Sequence, residues 1–249
     1  MGNSNTSSLI KHKNIITNQV LDKEEFAQVD LCSKKEGHQV INILIETFIA
    51  SRDPLAVWCT GPPFQPEAKF EKRLAKATRW ALRVMNLPLI SNGIMLCVRD
   101  PNDKEKIVGG VSLAPPENNK LTFLVIMKMM LKCGPPPTSR FNYFQPLEKV
   151  QHDIRKKYRK CWYIQTIGVL SSMKGKGFGS RLMKTACQLA DIEHCDMWLE
   201  TESERLVKFY QGFGFVVFRQ FKLKVPFRPG LDTCTMWAMV REQNSSEKQ

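Results

Sequence analysis

The stretch Trp162-Tyr163-Ile164-Gln165-Thr166-Ile167-Gly168-Val169-Leu170-Ser171-Ser172-Met173-Lys174-Gly175-Lys176-Gly177-Phe178-Gly179-Ser180 decides how the rest of the chain is read. Its first part, Trp162 to Val169, is β-branched and aromatic over the length of one strand. Lys174 to Gly179 then carries glycine at alternate positions. Directly after it, Phe178, Leu182, Ala186 and Leu189 recur at three- and four-residue steps, the period of an amphipathic helix. The local order is strand, glycine turn, helix. Such a turn brings bare backbone N–H groups and the positive end of a helix to one point, where a phosphate can sit. Glycine suits it because a Cβ would hold an anion away from the backbone.

The surrounding composition sets limits. A chain of 249 residues, 43% hydrophobic and 24% charged, can bury a substantial core. Lys and Arg number 37 against 24 acids, a formal net charge of +13 that favours an anionic partner, a polyphosphate among them. The basic run Arg155 to Lys160 is short and lies on a helical pattern, so it is not read as a nucleic-acid arm and no nucleic acid is expected. Eight cysteines are scattered without a Cys-x-x-Cys pair or a Cys/His cluster at zinc spacing. They read as reduced, mostly buried small hydrophobes of a cytoplasmic protein, and no metal is expected. The apolar run Leu121 to Leu131 is too short to span a bilayer and is broken by Lys128.

Taken in order, residues 1–23 read as a polar, disordered tail. Its first residues, Met-Gly-Asn-Ser-Asn-Thr, fit the pattern for N-myristoylation of Gly2, and with Lys11 and Lys13 imply only weak, reversible membrane contact. Residues 24–242 form one domain and 243–249 a second polar tail. Phe26 to Cys32 reads as a strand, and Ser33-Lys34-Lys35-Glu36 as a capping box opening a helix lined by Val40, Ile41, Leu44, Ile45 and Phe48. A second helix carries Phe70, Leu74, Ala77, Ala81 and Val84. Strands over 93–98 and 107–113 form a hairpin, with Gly109 and Gly110 hinting at a bulge. Helices follow over 121–132 and around Leu147 to Tyr158. After the opening stretch come a strand over 196–200, a short helix over 204–210, and two closing strands over 216–223 and 235–241 joined by the Pro226/Pro229/Gly230 loop. The alternation gives an α/β domain with a mixed sheet and helices on its faces.

Three phosphate-turn chemistries compete for the glycines. The P-loop spacing is lacking. The dinucleotide fingerprint nearly fits, since Gly175 and Gly177 stand at its first two positions, Ser180 at the third, and Glu200 about 20 residues on. Against it, little chain follows to build a second βαβ unit. The third option fits better. Lys174-x-x-Gly177-x-Gly179 after Ile167-Gly168-Val169 resembles motif A of the GNAT superfamily of acetyl-CoA-dependent N-acyltransferases, with Lys174 where Gln or Arg is usual. Trp198 to Thr201, then Phe209-Tyr210-Gln211-Gly212-Phe213-Gly214-Phe215, resembles its motif B. Within the superfamily the sequence is similar to the puromycin N-acetyltransferase group, on Asp53-Pro54-Leu55, Trp162-Tyr163, Leu199 to Thr201, Phe209-Tyr210 and the strand from Thr233 to Arg241. The resemblance covers residues 24–242, densely from 161 to 224. Leu206 stands where an asparagine often contacts CoA, which implies one side-chain contact fewer.

The resemblance implies a fold and a chemistry. The sheet should be mostly antiparallel, six- to seven-stranded, with helices on both faces and its fourth and fifth strands splayed around the pantetheine arm. Acetyl-CoA is the implied cosubstrate and a primary amine of a small molecule or peptide the acceptor. The pyrophosphate is expected on Lys174, Gly175, Lys176, Gly177, Phe178, Gly179 and Ser180, and an N–H donor to the thioester oxygen at Ile167, Gly168 or Val169. Tyr210 stands at the family's position for the acid that protonates the leaving thiolate, and Glu200, at the end of the fifth strand, is the candidate base. Each has a plainer role: Tyr210 as core with its hydroxyl capped, Glu200 as a brace at a strand end. His152 is the histidine to watch. Two other classes stay open: a non-catalytic acyl-CoA-binding module on the same fold, and a dinucleotide-dependent oxidoreductase.

Overall fold

The computed structural model describes residues 3–22, 28–61, 66–116, 131–137, 140, 143–224 and 233–243. The elements are α1 (Asn3–Ile15), β1 (Val29–Leu31), α2 (Lys34–Ala50), α3 (Pro54–Thr60), α4 (Glu67–Asn92), β2 (Ile94–Asp100), β3 (Asp103–Ala114), α5 (Gln145–Lys157), β4 (Cys161–Val169), α6 (Phe178–Ile192), β5 (Asp196–Thr201), α7 (Glu204–Gln211), β6 (Val216–Lys224) and β7 (Thr233–Arg241). The strands form one seven-stranded sheet in the order β1-β2-β3-β4-β5-β7-β6. Every pairing is antiparallel except β4 with β5. This is the mixed, mostly antiparallel sheet that the resemblance implies. It also removes the dinucleotide reading, which needs a parallel sheet wound on both sides.

Alternation along β2 assigns the faces. Ile94, Leu96 and Val98 pack with α6, while Met95 and Cys97 pack with α2 and α4. On the α2 face, Gly110 allows the close approach of the helix: a Cβ there would stand 2.5 Å from Val40 Cγ1 and 2.8 Å from the Leu96 carbonyl. The sequence hints at a bulge near Gly109 and Gly110. The register does shift beside them, between Val98 and Arg99, leaving Val108 as the extra residue.

A second shift matters more. Ser112 pairs with Thr166 but Leu113 with Ile164, so Gln165 is an extra residue in β4. One extra residue reverses which side chains face which way. Trp162 and Ile164 point to the α6 side, and after the bulge so do Ile167 and Val169. Thr166 and Gly168 therefore face α2 and α4, where the Thr166 and Ser112 hydroxyls both donate to Asn86 Oδ1 of α4, at 2.8 and 2.5 Å. That buried bond network fixes α4 against the strand beside the candidate site.

The capping box at Ser33 forms as the sequence predicts: Ser33 Oγ accepts from Glu36 N–H and Glu36 Oε2 from Ser33 N–H. Ser33→Ala is expected to cost about 1 kcal/mol, a drop of roughly 2–4 °C in the melting temperature. Thermal unfolding by circular dichroism checks it.

Two expectations need correction. The disordered tail over 1–23 does not hold for residues 3–20, which run as α1 and one further helical turn, Ile16–Val20. Ile16 and Val20 are fully buried in the core, and the His12 ring donates to Glu193 at 2.5 Å. Trp162 Nε1 holds the other oxygen of Glu193 at 2.9 Å. The spacing of Leu9, His12, Ile16 and Val20 is helical, but too few large apolars stand in it to outweigh the polar composition. The second correction is α3, unforeseen in the sequence. Arg52 ends α2 with a positive φ of 47°, and Asp53 caps a new helix through Ala56 N–H to Oδ1 at 2.9 Å. The helix expected over 121–132 lies outside the described residues up to 130, and so does the Pro226/Gly230 loop.

Candidate active site

β4 and β5 are parallel neighbours for three residue pairs only: Cys161 with Asp196, Trp162 with Met197, Tyr163 with Trp198. Beyond Tyr163 the strands part. Ile164 to Val169 keeps β3 on one edge, and Leu199 to Thr201 keeps β7, but neither meets a strand across the gap. Alternate backbone N–H and C=O groups of an unpaired strand edge are open to a ligand. The gap widens into a cavity of about 330 Å³, walled by α2, α3 and α4 as well as by both strands.

The glycine turn closes one end of this gap. Leu170 N–H bonds the Val108 carbonyl at 2.9 Å, a short 3₁₀ turn follows over Ser171–Met173, and Lys174 lines the cavity. Gly175 and Gly177 have φ of 79° and 80°, and a Cβ on either would meet nothing within 4 Å. Glycine is required here by backbone conformation and not by crowding. Gly177 caps α6 with no side-chain partner, which leaves the first N–H groups of the helix, from Phe178, Gly179 and Ser180, pointing outward. Lys176 lies back on Met173, its Nζ 3.4 Å from the sulfur.

Glu200 lies in the cavity wall and is largely buried. Burial pushes its pKa up to about 7, against the opposing pull of hydrogen bonds from Tyr163 and Gln151 and the charge of Arg155. Gln151 Nε2 donates to Oε1 at 2.8 Å. The Tyr163 ring stacks on Trp198, centroids 4.0 Å apart, which fixes its hydroxyl toward Glu200. A carboxyl held near neutrality can take up a proton and give it back at physiological pH.

Tyr210 is 5% exposed, packed against Phe209 and Phe215. Its hydroxyl is not capped: among the described residues it has no hydrogen-bond partner, and the side chain lines the cavity. Burial, then the nearby Glu202 and Asp53 carboxyls, raise its pKa and keep the phenol protonated.

Sequence reasoning missed the rest of the site. Asp53, 7% exposed, and Glu202 both line the cavity, and their carboxyls face each other. Burial first, then the Asp53 carboxylate, push the Glu202 pKa well up. Among the described residues no cation pairs with either acid. Thr47 of α2 and Thr78 of α4 also contribute to the wall; their hydroxyl oxygens are enclosed and, among the described residues, have no hydrogen-bond partner, an arrangement that costs about 1–3 kcal/mol for each group. His152, watched from the sequence, lies on α5 and does not line the cavity. Gln151 and Arg155, from the same helix, are the residues that reach Glu200. Among the described residues no group of three His, Cys, Asp or Glu converges in a metal-binding arrangement.

Solved structures share this architecture. A related acetyltransferase from Corynebacterium glutamicum, described with histone acetyltransferase HPA2, superposes with a TM-score of 0.54 at 21% identity over 87% of this chain and 96% of its own. Arylalkylamine N-acetyltransferase 2 of Aedes aegypti gives 0.57 at 15% over 87% and 98%. The Drosophila melanogaster polyamine N-acetyltransferase gives 0.54 at 15% over 86% and 98%. At these identities the likeness is one of fold. Residues 91–215 of the 249, which hold β2 to β5, the glycine turn and α7, match the acetyltransferase (GNAT) family. The chain belongs to the GNAT acetyltransferase family.

Proposed function

We propose that the protein transfers an acetyl group from acetyl-CoA to a primary amine with an apolar body. The observation that carries this reading is the unpaired gap between β4 and β5, closed at one end by the positive-φ glycine turn and lined by Glu200 and Tyr210. The residues fit a pantetheine arm, because an extended amide chain can use the open edge of Ile164–Val169 as an added strand would. The pyrophosphate end then meets the free N–H groups after Gly177, with Lys174 beside it. Acetyl-CoA supplies the activated acetyl thioester. Leu206 lines the cavity at the position where the family often has asparagine, so that contact is apolar here.

The chain's own groups supply the proton transfers. An acceptor arrives as an ammonium ion, and the Asp53–Glu202 pair, which no cation among the described residues neutralises, draws it into the cavity. Glu200 takes the ammonium proton, directly or through one water, and frees the nitrogen lone pair. As the C–N bond forms and the C–S bond breaks, Tyr210 gives its proton to the departing sulfur. Amines are also the acceptors named for the fold-related polyamine and arylalkylamine enzymes. The apolar part of the cavity wall includes Phe48, Leu55, Ala81, Leu82, Met85 and Leu147. That apolar surface suits an aryl or alkyl body better than the repeated charges of a polyamine. Asp53, Glu200, Thr201 and Tyr210, four residues of the puromycin N-acetyltransferase resemblance, all line this cavity, which favours assigning the chain to that group.

The test is thiol release from acetyl-CoA against a panel of apolar primary amines, polyamines and amino-nucleosides. Turnover with at least one apolar primary amine is expected, and Tyr210→Phe should slow it by about 10²-fold. Acetyl-CoA binding with no turnover on any amine would replace the reading by a non-catalytic acyl-CoA-binding module.

A further inference from the structure

The outer face of α4 carries charge that the fold does not use. Lys69, Lys72, Lys76, Arg79 and Arg83 recur at alternating three- and four-residue steps, and all are exposed. They form one stripe, ~20 Å long, on one side of the helix. The opposite side, with Leu74, Ala77, Leu82 and Leu89, is buried. Neighbouring charges on the same helix have structural partners. Arg73 donates to the Thr60 carbonyl at 2.7 Å, and Glu67 and Glu71 are both held by Arg52. The five cations of the stripe make no ion pair or side-chain hydrogen bond among the described residues. No acidic residue stands between Glu71 and Asp100. Like charges three and four residues apart repel along a helix, so stability does not account for the row.

The form of the face selects among anionic partners. Nucleic-acid sites interleave cations with groups that read or stack on bases. The aromatic beside this stripe, Trp80, is part-buried and spends its Nε1 on the Gly134 carbonyl at 2.8 Å. A convex helix offers neither a groove nor an open strand edge to an acidic peptide. A straight row of long, flexible cations suits an extended negative plane, whose lipids can move to meet it. The adjoining helix has matching character. α1 packs on α4 where the stripe ends: Ile90, seven residues beyond Arg83 and on the same helical face, lines one small groove with Lys13. α1 has no acidic residue, and its Ile10 is 55% exposed beside the exposed Lys11. A bilayer interface accommodates a large apolar side chain next to a lysine.

We propose that the outer face of α4, with the adjoining surface of α1, docks on an anionic membrane leaflet. The α4 residues that line the cavity, among them Ala77, Thr78, Ala81 and Met85, stand on the other side of the helix. Docking therefore leaves the site-facing side of α4 turned toward the protein. The inference does not depend on the amine reading. An acyl chain on Gly2 would add a second anchor, and the face acts without it.

The experiment is co-sedimentation of the full, unmodified chain with vesicles of phosphatidylcholine alone and of phosphatidylcholine with about one-third phosphatidylserine. The wild type is expected to bind the anionic vesicles about ten-fold or more tightly than the neutral ones, and to lose that preference as salt is raised. The triple variant Lys72→Gln/Lys76→Gln/Arg79→Gln should weaken the anionic binding by about 10²-fold. A second triple variant, Lys104→Gln/Lys222→Gln/Lys224→Gln, removes the same charge from exposed positions elsewhere. It should bind within about three-fold of wild type, because only charges near the surface act. The melting temperature of the α4 variant should be unchanged or higher, since glutamine is a good helix former and the repulsion is gone. Equal binding of wild type to both vesicles at low salt would overturn the proposal. Equal losses in the two triple variants would also overturn it, by reducing the effect to net charge. Retention on duplex RNA through the same three residues, without vesicle binding, would give the face to a nucleic acid instead.

Discussion

Glu200→Gln is expected to lower kcat for the proposed acetyl transfer by about 10²–10⁴-fold, the range ascribed to a positioned general base. Glutamine keeps the shape and can still meet Gln151 and Tyr163, but it cannot accept the ammonium proton. In the wild type kcat/KM should rise with pH and level off above about 7, where burial has placed the carboxyl's pKa. In the variant that acid limb disappears. Stability separates this from misfolding. The folded pKa lies above the ordinary value of 4.5. From 4.5 to about 7 the unfolded chain therefore loses the Glu200 proton while the folded chain keeps it, and stability falls as pH rises through that window. Glu200→Gln removes this effect, so the variant should be more stable than wild type above pH 7, by an amount that shrinks toward pH 4.5. Rate profiles with one amine and melting curves at several pH values check both signs. A variant with wild-type rates would leave Glu200 as a brace of the strand end.

Gly177→Val is expected to weaken acetyl-CoA binding by about 10²-fold while the chain still folds. Valine at a φ of 80° is strained, at a cost of about 1–3 kcal/mol. The turn has two ways to respond. It keeps its shape and places a branched side chain in the proposed pyrophosphate site, or it relaxes and turns the N–H groups away. Both remove the anion contacts that the geometry supplies. Because the added Cβ would meet nothing within 4 Å, the core is untouched and the melting temperature should fall by roughly 2–12 °C, the backbone strain alone. Calorimetric titration with acetyl-CoA reads the loss directly. Binding within two-fold of wild type would remove the turn from the site.

The parts of this molecule legible in the sequence are those whose cause is local. Strand Trp162–Val169, the glycine turn and α6 follow one another within 31 residues, and each leaves its own mark in spacing or in residue type. The capping box at Ser33 and the hairpin around Asn102 are equally short-range. Glu200 could be named because it ends a strand beside the turn's own strand. The cavity's other polar groups could not. Asp53 and Glu202 are 149 positions apart in the chain, and only the placement of α3 against the end of β5 brings their carboxyls together. In the sequence Asp53 carries only a resemblance and no role; the signal for it is an N-cap in Asp-Pro after a chain reversal. Thr47 and Thr78 lie on helical stripes where threonine passes for a neutral filler, and their lack of partners is visible only once the helices are packed. The bulge at Gln165, which turns Thr166 and Gly168 toward α2 and α4, leaves no sequence mark at all. At the N-terminus the error ran the other way: two buried apolars, Ile16 and Val20, anchor a helix that its composition argued against.

The proposed function requires that the gap between β4 and β5 binds acetyl-CoA. Calorimetric titration of the folded wild-type protein with acetyl-CoA tests this most directly. Saturable one-to-one binding is expected, weakened by about 10²-fold in Gly177→Val and retained in Glu200→Gln. The absence of any binding heat or thermal stabilisation at millimolar acetyl-CoA would contradict it.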